Sequence, residues 1–135
     1  MRKIFLTVVL AMCTAASHAQ RFDPRHNDGL ARLTGEQIYT HICQGCHMPD
    51  GRGATGAGRY PALAHDANLA SASFPAAMVI NGRGNMPAFG PLLTDAQVAG
   101  VVNYLRTHFG NAYIDPLSPE DVKVLRPPTT ETENH

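Results

Sequence analysis

The 135-residue sequence has only three cysteines, Cys13, Cys43 and Cys46, so no second pair stands beside Cys43 and Cys46. A zinc site would want further ligands at paired spacing, and a thioredoxin-like dithiol would want a βαβ context; neither accompanies this pair. No stretch reads as an obvious strand, which turns the expected fold towards helices. No Gly-Lys-Ser/Thr follows the four glycines of residues 51–58 and no strand precedes them, which argues against a phosphate cradle. No apolar run approaches the roughly 20 residues that a helix needs to span a bilayer. Excess charge is missing too: 11 Lys and Arg face 11 Asp and Glu. That balance removes the electrostatic case for nucleic acid or an anionic membrane surface.

What is present starts with a leader. Residues 1–19 carry a basic start (Arg2, Lys3), a short apolar stretch and a small-residue exit at Ser17-His18-Ala19, the pattern of a secretory signal cleaved after Ala19. Leu10-Ala11-Met12-Cys13 faintly suggests a lipoprotein box, but methionine before the cysteine is unfavourable there. Removal of the leader takes Arg2, Lys3 and Cys13 and leaves 116 residues with nine basic and eleven acidic side chains, a net charge of about −2. A chain of that size makes one domain with a modest core.

Cys43-Gln44-Gly45-Cys46-His47 organises the remainder, and it reads as a c-type haem attachment site. Each thiol can add across one haem vinyl group, and a two-residue gap on a helical turn matches the separation of the vinyls. The imidazole of His47 then meets the iron from one side. An isolated disulfide or a redox-active dithiol are the alternative uses of such a pair in an exported protein. For the opposite side of the iron, Met48 is adjacent to His47 and cannot reach, and Met1 and Met12 leave with the signal. Met78 and Met86 remain, with His41, His65 and His108 as imidazole rivals. Met78 lies in a helical segment, where methionine commonly fills gaps in a core. Met86 is the one soft donor in a loop, residues 81–91, punctuated by Gly82, Gly84, Pro87, Gly90 and Pro91.

Helix signals frame these motifs. Residues 20–33 are mixed and polar and read as a loose arm. Thr34-Gly35-Glu36-Gln37 and Thr94-Asp95-Ala96-Gln97 are capping boxes that open the first and last helices of the expected domain, residues 34–110. Ile38 and Ile42 share a face of the first. Val98, Val101, Val102, Leu105 and Phe109 give the last an apolar stripe, ended by Gly110, with Asn103, Arg106 and Thr107 on the solvent side. Residues 67–72 suggest a helical turn, and residues 73–81 a helix capped by Ser73 and closed by Gly82. Beyond it, residues 111–135 form an extension in which Ser118-Pro119-Glu120-Asp121 looks like another helix start, with Val122 and Leu125 as its apolar face and a polar end after Pro127-Pro128.

The order Cys43-x-x-Cys46-His47, Met48-Pro49-Asp50-Gly51-Arg52-Gly53, Tyr60-Pro61-Ala62-Leu63 and Met86-Pro87 resembles the class I c-type cytochromes from about Gly35 to Gly110. The resemblance implies an all-α class I cytochrome c fold, three to five short helices around one covalently bound haem c. It implies His47 and Met86 as the iron ligands, Cys43 and Cys46 as the thioether positions, and Pro61 as the residue whose carbonyl accepts from the ring of His47. Leu63 would pack beside the macrocycle. Gly35 and Tyr39 match a glycine and an aromatic that pack on the last helix, with Tyr104 as counterpart. Arg59 and Arg83 lie near the haem-contacting loops and could pair with the propionates, with solvated surface charge as the alternative; Tyr60 and Asn85 could donate there. Met48, Ala57, Ala62, Ala88 and Phe89 could ring an exposed haem edge.

The function so implied is periplasmic electron transfer, by a soluble carrier or by the cytochrome subunit of an exported dehydrogenase, with no catalysis at the iron. The expected partners are such a dehydrogenase as donor and another cytochrome or a terminal oxidase as acceptor, and a membrane anchor is not expected. The tail resembles, weakly, those of cytochrome subunits that accompany periplasmic dehydrogenases; strapping its own domain is the other reading. A haem enzyme or gas sensor, in which Met86 dissociates to open the iron, is the alternative function, and rapid CO binding to the reduced protein would distinguish it.

Overall fold

The computed structural model describes residues 28–56 and 58–128. The expected leader, the arm up to residue 27, Ala57 and the tail from Thr129 lie outside the described residues.

After a helical turn, α1 (Asp28–Ala31), Thr34 opens the first long helical run. Its hydroxyl accepts from the Gln37 N–H at 3.2 Å while Gln37 Oε1 accepts from the Thr34 N–H at 2.9 Å, so two orphan donors are satisfied reciprocally. The run is α2 (Gly35–Ile38), a π-helical segment (Tyr39–Cys43) and α3 (Gln44–His47), joined without a break in helical dihedrals. The widened π turn is not legible in the residue pattern, and it sits directly ahead of Gln44-Gly45-Cys46-His47. Met48, with φ at 65°, ends the run.

A two-residue antiparallel hairpin follows, β1 (Ala54–Thr55) with β2 (Arg59–Tyr60), a small departure from an all-helical expectation. A 3-10 turn (Ala67–Ala70) leads to α4 (Ser73–Asn81). Ser73 is not its cap: Ala72 holds that position without a side-chain bond, and the Ser73 hydroxyl faces that of Ser71 at 3.0 Å. Gly82 closes α4 as expected, its N–H donating to the Met78 carbonyl.

The longest helix, α5 (Asp95–Thr107), begins with the second capping box and buries Val98, Val101, Val102 and Leu105. It crosses α2 where Gly35 meets Gly100, a crossing so close that a Cβ on Gly35 would enter the Gly100 carbonyl. The side chain of Gln97 reaches back to the Leu30 carbonyl and ties α1 to the same helix.

Two residues expected in solvent, the buried Arg106 and the half-buried Asn103, are engaged within the fold. Arg106 is 1% exposed, donates Nε to the Leu69 carbonyl at 2.9 Å and Nη2 to the Ala70 carbonyl at 3.2 Å, and pairs with Asp115 at 2.7 Å. Burial of a guanidinium is tolerable only with its donors satisfied, and the 3-10 turn and the extension supply the acceptors. Asn103 clamps Leu117 in both directions, donating to its carbonyl at 2.9 Å and accepting from its N–H at 2.8 Å.

The extension therefore packs onto its own chain. Ser118 and Asp121 form a third capping box for α6 (Pro119–Leu125), which lies on α5 and α4. Leu117 and the fully buried Val122 join the same hydrophobic cluster as Ile38, Val79, Val101 and Leu105.

Candidate haem site

Cys43 closes the π segment and Cys46 and His47 sit on α3, so all three occupy one short stretch of helix. The stretch is pinned at its end. Tyr39, buried between Tyr104 (ring centroids 5.7 Å) and Phe109 (4.8 Å), donates its hydroxyl to the Met48 carbonyl at 2.6 Å. Gly53 N–H donates to the His47 carbonyl at 3.1 Å, and the N–H groups of Leu63 and Ala64 both donate to the Gly51 carbonyl, at 2.7 and 2.9 Å. The loop after the motif is thereby folded back against it.

That fold-back places the Pro61 carbonyl 2.9 Å from His47 Nδ1. A carbonyl only accepts, so Nδ1 carries the proton and Nε2 keeps its lone pair for a metal. Both cysteines are free thiols, Cys43 half-buried and Cys46 exposed. Burial, and then the neighbouring Cys46, push the Cys43 thiol up to about 11. Among the described residues no group of three or more His, Cys, Asp or Glu could hold a metal ion.

Met86 stands at the end of a tight turn. Arg83 and Met86 exchange both backbone hydrogen bonds at 3.0 Å. Gly82, at φ 69°, must be glycine, because a Cβ there would run into the Met86 carbonyl and the Pro87–Ala88 backbone. Phe89 N–H to Val79 O at 2.9 Å and Gly90 N–H to Ile80 O at 3.1 Å then seat the loop on α4. Met86 is half-buried against the core cluster, and Met78 is half-buried within α4. The imidazole rivals are otherwise engaged or placed: His65 lies on Gly110, His108 stacks on Tyr104 with centroids 4.0 Å apart, and His41 is exposed on the π segment.

Ile42, Cys43, Leu63, Met86 and Phe89 each touch the core yet keep part of their surface exposed, the property of side chains that line an apolar ligand. Two thiols, an imidazole with its tautomer set and a thioether in a tight loop make a donor set that suits covalent haem. Arg59, on β2, and Arg83, in the turn, are exposed, and neither forms an ion pair among the described residues. Ala62 and Ala88 are exposed and Met48 half-buried.

The residue pattern carried no signal for Asn111. Its buried amide donates to the carbonyls of Leu63 (2.8 Å) and Leu105 (2.9 Å) and accepts from the Asp66 N–H (3.0 Å), joining the loop after Pro61 to the end of α5. Arg126 was missed for the same reason, since its partners are distant in sequence: Gly90 O, Leu93 O and Asp95.

Residues 31–105 match the protein family described as cytochrome c oxidase, cbb3-type, subunit III. The chain belongs to that family. The cytochrome is also 33% identical over 118 residues to the fructose dehydrogenase cytochrome subunit of Gluconobacter japonicus, a match that covers 76% of this chain and 24% of that protein. It is 32% identical over 105 residues to the gluconate 2-dehydrogenase cytochrome c subunit of Pantoea cypripedii, covering 69% of this chain and 24% of that one. Cytochrome c6C from Synechococcus sp. PCC 7002 is similar with a TM-score of 0.49 and 29% identity, over 56% of this chain and 94% of its own. The cytochrome spans about a quarter of the length of the curated relatives it matches. It is a c-type cytochrome that carries covalent haem c. Among the described residues no helix is long and apolar enough to cross a membrane.

Proposed function

We propose that the cytochrome moves single electrons in the periplasm through one haem held by Cys43 and Cys46 and ligated by His47 and Met86, and that its donor is an exported dehydrogenase. The observation that carries the ligand reading is the 2.9 Å contact from His47 Nδ1 to the Pro61 carbonyl, immediately beside two free thiols. Haem c supplies a one-electron couple when bound. Leu63, Phe89 and Met86 exclude water from its surroundings, the Pro61 carbonyl keeps the His47 ring oriented and basic, and the thioether of Met86 favours the reduced state relative to a second imidazole. His47 and Met86 would together hold the iron and leave no place on it for substrate, so the chain would relay electrons rather than catalyse. Arg59 and Arg83 remain candidates for the propionates, since each guanidinium offers a fork of donors to a carboxylate.

The relatives are named as cytochrome subunits of fructose and gluconate dehydrogenases, which supports a dehydrogenase as donor; another cytochrome or a terminal oxidase is the acceptor we propose. The test is to isolate the holoprotein gently from its native periplasm and add fructose, gluconate and related alcohols while the haem spectrum is followed. A stoichiometric dehydrogenase that reduces this haem supports the reading. A protein that travels alone, is reduced by no dehydrogenase and binds CO rapidly when reduced would overturn it. In the same holoprotein, Met86→Ala is expected to abolish the charge-transfer band between thioether sulfur and ferric iron; an unchanged band would remove Met86 as ligand.

A further inference from the structure

The chain after Gly110 holds both loops that carry the axial residues, one at each of its ends. At the start, Asn111 is 8% exposed and spends every polar atom of its amide on Leu63, Leu105 and Asp66. It thus fastens the stretch that begins two residues after Pro61, the acceptor for His47 Nδ1, to the end of α5. At the far end, Arg126 donates Nη1 to the Gly90 carbonyl and Nη2 to the Leu93 carbonyl, both at 2.7 Å, and Nε to Asp95 at 2.5 Å. It thus closes the stretch that follows Met86-Pro87, which the Phe89 and Gly90 N–H groups seat on α4 from the other side. Between the two ends the chain is tied at three points: Arg106 holds Asp115, Asn103 holds Leu117 in both directions, and Val122 is fully buried.

We propose that residues 111–126 are a positioning strap, in which Asn111 fixes the loop behind His47 and Arg126 latches the loop that carries Met86, so that one segment sets both axial bonds. The inference rests on the assignment of His47 and Met86 as ligands. Arg83, Gly84, Asn85, Pro87 and Ala88 are all exposed, so an outward swing of Met86 is resisted by its own contact with the core, by the Phe89 and Gly90 bonds to α4, and by the Arg126 bonds to Gly90 and Leu93; only the last tie it to the strap. On the other side, a looser Pro61 loop weakens the bond that makes His47 basic. A less basic imidazole stabilises the oxidised iron less, so the potential rises.

The test uses holoprotein and three variants beside the native chain. Arg126→Gln releases the latch, Asn111→Ala releases the proximal loop, and Val122→Ala loosens the strap at its middle while both ends stay bonded. Exogenous imidazole, which can bind ferric iron only when Met86 leaves, is mixed with each, and potentials and unfolding midpoints are measured. Loss of charged hydrogen bonds corresponds to about tenfold in an equilibrium, so Arg126→Gln is expected to bind imidazole about tenfold faster than Val122→Ala of similar stability. Asn111→Ala is expected to keep the thioether charge-transfer band and raise the potential. If both end variants match Val122→Ala in imidazole rate and potential once stability is matched, the strap is packing alone and the proposal fails, with the ligand assignment intact. If Met86→Ala leaves the band unchanged, the ligand assignment fails and takes the proposal with it.

Discussion

Tyr39 does at the scale of one residue what the motif cannot do for itself. The helix carrying Cys46 and His47 ends abruptly at Met48, and the Tyr39 hydroxyl holds that end through the Met48 carbonyl. Burial, ahead of the neighbouring Cys43, pushes this phenol from its ordinary 10.0 up to about 12. The Cys43 contribution disappears once that sulfur is part of a thioether, whereas burial remains. Below pH 10 folded and unfolded chains both keep the proton. Between about 10 and about 12 the unfolded chain releases it and the folded chain does not, so stability falls as pH rises through that window. Tyr39→Phe is expected to cost about 1 kcal/mol at pH 7 from the lost hydrogen bond, and to lose less stability than the native chain between pH 10 and pH 12. Urea unfolding at pH 7 and at pH 11 checks both; an equal or steeper alkaline loss in the variant would show that another group titrates. Tyr39 and its aromatic partner Tyr104 were legible because a family pattern points to them. Arg106, Asn103 and Asn111 were not, because a charged or amide side chain on a helix face or just beyond a helix end reads as solvated unless distant carbonyls are known to face it, and those of Leu69, Leu117 and Leu63 arrive only with the tertiary fold.

Elements were legible where a local rule decides them. Thr34 with Gln37, Thr94 with Gln97 and Ser118 with Asp121 satisfy donors within four residues, so each helix start is written in its own tetrapeptide. The start of α4 is written elsewhere, since its cap position is Ala72 and packing of Pro75, Ala76, Val79 and Ile80 holds it. The two-residue hairpin and the π turn were equally silent, the first being too short for a period-2 pattern and the second differing from an α-turn by one residue in the same run. The crossing of α2 and α5 gives an asymmetric prediction. A Cβ on Gly35 would collide with the Gly100 carbonyl, a backbone atom that cannot move aside, whereas a Cβ on Gly100 would meet Gly35 at 3.5 Å, an ordinary contact. Gly35→Ala is therefore expected to destabilise the fold by about 2 kcal/mol or more through overpacking. Gly100→Ala, in the middle of a helix, is expected to be neutral or to stabilise by up to about 1 kcal/mol. Thermal unfolding of the two holoproteins checks the pair, and equal losses would mean that the helices slide rather than clash.

For the whole molecule the deciding quantity is how little the chain buries by itself. Among the described residues fourteen hydrophobic side chains are buried, mostly valine, leucine, isoleucine and alanine, with Tyr39 the sole aromatic. Phe89, Phe109, Leu63 and Met86 stop halfway, packed on the core with part of each still exposed. A domain of about 100 residues with so small an apolar interior is marginal, and residues that stop halfway become core only when something apolar covers them. The strap adds Leu117 and Val122, which strengthens the side formed by α4, α5 and α6 but not the side of the motif. Haem attached at Cys43 and Cys46, as proposed, would complete the interior as well as equip it for redox work. The expectation is that Cys43→Ala/Cys46→Ala, which cannot form thioethers, unfolds over a broad temperature range, with α5 and α6 retaining helical circular dichroism after the motif side has lost order. Hydrogen exchange separates the two sides: amides of Val101, Val102 and Leu105 should stay protected while those of residues 43–53 exchange freely. A single sharp transition with uniform protection would show that the helices close their own core, and that the haem is a passenger in a fold complete without it.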